Sequence, residues 1–233
     1  MTALDKSARI AGLLYLFITV TGVFNLMIVP GRLIVRGDPA ATAARILASE
    51  SLFRADVAIA LLSSLGFLFL ALALYQLFKG VHQPLAALMA ILVVVQIPLS
   101  VVDAMVRLGV LELVRGGDYL AAMGAPQRDV LGMMLLRLLD HGTVASELYW
   151  GLWLCPLGAL VLRSGFIPRL LGYWLIVNGI AYVVLCATGL LMPEHRREVY
   201  NVLFPIMLGE VAFTLWLLVF GARPRRGTAS AAA

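Results

Sequence analysis

Four residues, Gln96, Ser100, Asp103 and Arg107, are spaced four, three and four apart, so on a helix they form one polar stripe inside an otherwise apolar run. Comparable stripes recur. Asp56, Ala60 and Ser63 align behind Arg54, and Asp140, Glu147 and Gly151 align if a helix runs unbroken through Gly142, with His141 at its entry. Glu210 sits about two turns into the last apolar segment. An ionised side chain facing lipid near the bilayer centre costs about 2.5–3.5 kcal/mol, so such stripes must turn inward and find partners.

The charges do not balance. Asp56, Asp103, Asp140, Glu147 and Glu210 face only Arg54, Arg107 and Arg137, five acids against three cations. Two chemistries follow. In one, the charges are structural, Asp103 pairing with Arg107 four residues on and Arg54 or Arg137 answering Asp140 or Glu147. In the other, the surplus acids are held for a proton, a cation or a small cationic ligand. The candidate polar pocket is therefore Arg54, Asp56, Asp103, Arg107, Asp140, His141, Glu147 and Glu210.

The elements that must position these groups are transmembrane helices. Of 233 residues, 62% are hydrophobic and 13% charged, with mean hydropathy +0.96. A soluble domain carries about twice that share of charge. Six segments approach the ~20 residues needed to cross ~30 Å of hydrocarbon. They are 9–29, 53–78, 85–107, 142–162, 170–192 and 205–221. The expected fold is an all-α integral membrane protein, a six-helix bundle forming a single domain over 1–221. Short amphipathic helices precede the second and fourth spans, at 39–50 and from about Arg128.

Val29-Pro30-Gly31 should end the first span, and GVHQP should turn the chain between spans two and three. Pro98 should kink the third span. The first span carries Thr21, Gly22 and Asn25, which suit close helix contact. It is too long for a signal peptide's apolar core and no small-x-small cleavage site follows, so it reads as a retained helix. Residues 222–233 read as a basic, disordered cytoplasmic tail.

Lys and Arg set orientation. The N-terminus, the 79–84 turn, the 163–169 turn and the tail carry eight cations and one acid, which places them and both termini in the cytoplasm. The net charge of +5 is explained by this asymmetry, and no basic stripe interleaved with aromatics points to nucleic acid. Cys155 and Cys186 lie in apolar runs without a second ligand, as packing residues. Three histidines, with no His-x-x-x-His or Gly-x-Ser-x-Gly pattern, argue against a metal site or a hydrolase. No cofactor is expected.

The segments Ala8-Arg9-Ile10-Ala11-Gly12-Leu13-Leu14-Tyr15, Leu52-Phe53-Arg54, Leu74-Tyr75-Gln76-Leu77-Phe78-Lys79, Gly209-Glu210 and Leu215-Trp216-Leu217-Leu218 resemble the family called domain of unknown function 4386. The most specific part is the turn Arg163-Ser164-Gly165-Phe166-Ile167-Pro168-Arg169. The resemblance implies a bacterial multi-helix inner-membrane protein and no activity. Three classes of function remain. In order they are a sensor, assembly or accessory membrane subunit, a small transporter or binding protein for a proton, cation or cationic ligand, and a membrane-embedded hydrolase. The lipid bilayer is the one partner the composition demands, and oligomeric state is not legible.

Overall fold

A computed structural model describes residues 3–222; the tail expected to be disordered lies, apart from Ala222, outside them. The described chain is helical and carries no strand. Its helices are α1 (Ala3–Val23), α2 (Val29–Leu33), α3 (Pro39–Ala48), α4 (Glu50–Val94), α5 (Ile97–Arg115), α6 (Ala125–Ser164), α7 (Arg169–Leu191), α8 (Arg196–Met207) and α9 (Gly209–Val219). Five stretches are long and apolar enough to cross a membrane: Leu4–Leu33, Glu50–Arg115, Ala125–Ser164, Arg169–Leu191 and Pro193–Val219. Their outward residues are apolar; Leu13, Val102, Met105 and Leu191 are all more than half exposed. Such surface suits lipid and not water.

Several helix ends differ from expectation. The first helix does not stop at Val29-Pro30-Gly31 but reaches Leu33 through a π-helical turn at Phe24–Ile28. Pro30 then falls in the first turn of α2, where its missing N–H and fixed φ do the least damage. Between the second and third apolar runs the chain breaks at one residue, His82, with φ −161 and ψ 96. Its ring Nδ1 accepts from Leu85 N at 3.2 Å, capping the helix that restarts through Pro84. A second interruption at Val95–Gln96 precedes α5, so Pro98 sits in a first turn. The stretch expected as a separate helix from Arg128 is instead the start of α6, which runs through Gly142 without a break.

The chain forms two compact units. One comprises residues 18–65 and 97–143. Its core joins Val29, Leu33, Ile46, Phe53 and Val57 to Val110, Leu111, Leu136 and Leu139. Helix α3 begins at Asp38, whose carboxylate accepts from Ala41 N at 2.9 Å, with Pro39 at its first position. It buries Thr42, Ala43 and Ile46 against this core.

The other unit comprises, among the described residues, 3–17, 66–96 and 144–222. Here α6 and α7 run antiparallel with glycines facing: Gly151 meets Gly179, and Gly158 meets Gly172. A Cβ on Gly158 would lie 2.6 Å from the Gly172 carbonyl oxygen, so only glycine lets the backbones approach this closely. A Cβ on Gly12 would lie 2.9 Å from Leu218 N and 3.0 Å from Leu217 Cβ of α9. Phe78 stacks on Phe166 at 5.7 Å, and Arg9 donates to the Val219 carbonyl at 3.5 Å. The 163–169 turn thus meets the end of the second apolar run, and the N-terminal helix meets the end of α9.

Candidate functional site

The stripe on α5 meets a stripe on α4. Arg107 donates from Nε to Asp103 at 2.7 Å and from Nη1 to Asp56 at 2.6 Å. The Asp56 side chain is fully buried and Arg107 is 14% exposed. Asn25, in the amide orientation that satisfies both ends, donates to the second oxygen of Asp56 at 3.3 Å and accepts from Ala60 N at 3.1 Å. One turn back on α1, Thr21 donates to Ser63 at 2.8 Å. The polar positions of the first two apolar runs therefore face one another. The cavity beside Asp56 and Arg107, walled by Val29, Phe53 and Leu136, measures about 20 Å³. That is room for about one water and no solute.

Arg54 does not join this group. It bonds Glu50 at 2.7 Å, and Arg115 closes on the same carboxylate at 2.8 and 2.9 Å. Asp140 and His141 are exposed.

Glu147 is held by a residue absent from the expected set. Arg196 grips it with two parallel bonds, Nη2 to Oε1 at 2.6 Å and Nη1 to Oε2 at 3.0 Å, and also donates to the Leu185 carbonyl at 3.3 Å. A Cβ on Gly189 would stand 2.5 Å from Nη1, so the glycine makes the space for the guanidinium. Gly151, expected to border the polar face, packs on the α7 backbone.

Glu210 stands apart chemically. Among the described residues no cation bridges it. Tyr15 donates to Oε2 at 2.6 Å and Asn178 donates to Oε1 at 3.4 Å, with Tyr182 near the same carboxylate. The carboxylate lies just after the α8–α9 break, where Pro205 and the change of helix leave carbonyls without helical donors. Trp174 Nε1 supplies one to Ile206 at 2.8 Å, and Asn178 supplies another to Met207 at 3.2 Å. Gly209 admits the Trp174 ring, which a Cβ would meet at 2.6 Å.

A family model described as Domain of unknown function (DUF4386) matches residues 10–221. The chain belongs to that family. No curated protein and no solved structure matches it. Membership carries no activity, so the chemistry rests on the geometry above.

The groups missed from sequence are Glu50, Arg115, Arg196, Tyr15, Asn178 and Tyr182. Asn178 and Tyr182 are four apart in an apolar helix, a stripe that was legible. Arg196 offered no such signal. It is one of two adjacent arginines in a charged connection, and nothing local selects it over Arg197.

Proposed function

We propose that this chain is a membrane-embedded accessory or assembly subunit whose intramembrane charges lock helices together. One observation carries this reading: the buried acids Asp56 and Glu147 are each paired with an arginine from a distant part of the chain. Arg107 bridges Asp56 and Asp103, and Arg196 takes both oxygens of Glu147. Both acids on Arg107 and both oxygens of Glu147 are thereby occupied, and the space beside Arg107 holds about one water.

We further propose six spans in a single membrane domain, with both termini in the cytoplasm of a bacterial inner membrane. The break at His82 supports counting Glu50–Arg115 as two spans, because 66 unbroken helical residues would reach about 100 Å. The stacking of Phe78 on Phe166 supports a shared side for the 79–84 and 163–169 connections. The bond from Arg9 to Val219 supports a shared side for the two termini.

Glu210 favours a second reading. A carboxylate bonded by a tyrosine and an amide, without a cation among the described residues, suits a proton or cation carrier. Reconstitution in liposomes separates the two. The accessory reading expects no proton, sodium or potassium flux above protein-free vesicles. Flux abolished by Glu210→Gln in a variant of unchanged thermal stability would reassign the chain to transport.

A further inference from the structure

The turn Arg163-Ser164-Gly165-Phe166-Ile167-Pro168-Arg169 is only half explained by packing. Gly165 holds φ +70, which admits the reversal after α6. Phe166 stacks on Phe78, Ile167 is buried, and Pro168 occupies the position before α7. The two arginines have no such role. Among the described residues neither Arg163 nor Arg169 has an ion pair or a side-chain hydrogen bond. Asp5, the acid of the N-terminal segment, is occupied by Arg9 at 3.6 Å. Arg169 also opens α7, where the helix dipole disfavours a cation and the first-turn N–H groups lack a side-chain cap.

These groups surround a cavity of about 330 Å³, lined by Arg163, Phe166, Pro168, Arg169 and Trp216. The indole Nε1 of Trp216 is buried with no acceptor among the described residues. Two guanidinium groups beside a helix start demand an anion with several oxygens. The apolar wall and the volume demand a ligand larger than a bare ion.

We propose that this cavity binds the phosphate headgroup of an anionic phospholipid, with Arg163 and Arg169 on the phosphate oxygens and Trp216 at the glycerol level. Basic pockets beside membrane helices take such headgroups, and tryptophan settles at that depth. The inference rests on the chain being a membrane protein and is independent of its accessory or transport role. Fractionation of the full-length chain with membranes tests that premise separately.

The test is native mass spectrometry of the purified full-length protein with dioleoyl phosphatidylglycerol or dioleoyl phosphatidylcholine. Wild type should retain the anionic lipid and not the zwitterionic one. The double variant Arg163→Gln with Arg169→Gln should retain at least tenfold less, whereas Arg197→Gln, which removes a charge elsewhere, should match wild type. Equal retention of both lipids, or an equal loss in Arg197→Gln, overturns the proposal. So does a saturable response of intrinsic fluorescence to inorganic phosphate, lost in the double variant, without lipid retention; the site would then take free phosphate. If the double variant is not monodisperse, Trp216→Phe decides. A roughly threefold loss of retained lipid upholds the site, and unchanged retention rejects it.

Discussion

At Arg107 and Arg196 the chain relies on charge-assisted bonds in places where water is scarce, so removing either arginine strands an acid. Arg107→Gln leaves the fully buried Asp56 with only Asn25, and should cost about 3–5 kcal/mol. Arg196→Gln should cost less, about 2–3 kcal/mol, because Arg196 is itself 29% exposed and water softens the loss. Arg54→Gln should leave the melting temperature unchanged, since its pair with Glu50 is exposed and Arg115 remains. Thermal unfolding of the detergent-solubilised protein ranks the three, and an Arg107 variant as stable as wild type would remove the structural role. Asp103 with Arg107 was legible from their spacing. The second acid on Arg107 was not, because it lies 51 residues away.

At the scale of helices, stability comes from small residues that bring backbones together, since lipid leaves no hydrophobic gain to helix association. Gly158→Ala and Gly151→Ala should each push α6 from α7 and lower the melting temperature clearly. Gly22→Ala, with nothing within 4 Å of its new Cβ, should leave it unchanged or raise it slightly. Equal effects at the three positions would dismiss the backbone contact. The His82 ring works at the same scale. His82→Ala should loosen the restart of the helix by about 1 kcal/mol, the usual worth of an N-cap, and hydrogen exchange at Leu85 reads it. His82 looked like part of a longer GVHQP turn because glycine and proline punctuate that stretch. One extended residue and a side-chain cap suffice to break the helix there.

For the whole molecule, topology is the property most open to test. Single cysteines after Lys79 and after Arg115, in a background lacking Cys155 and Cys186, should label from opposite sides of the membrane. The site after Lys79 should label from the cytoplasm. Labelling of both from one side would reject six spans, and labelling after Lys79 from outside would invert the orientation. The cation bias predicts the direction because moving Lys and Arg across the membrane during insertion is unfavourable, whereas acids contribute little.

Composition and periodicity alone determined the helical, lipid-facing character of this protein, the polar face of the second, third and fourth apolar runs, and the expectation that intramembrane charges need partners. These are local properties: hydropathy is summed along the chain, and a face follows from 3.6 residues per turn. Only the tertiary structure decided the partners. Arg196 closes on Glu147 across 49 residues, Asn25 and Thr21 meet Asp56 and Ser63, and Glu210 is met by a tyrosine and an amide. Periodicity says which way a side chain points from its own axis. It says nothing of which neighbouring helix stands there, how far that helix is rotated, or whether glycines such as Gly189 clear room for a long side chain to reach in.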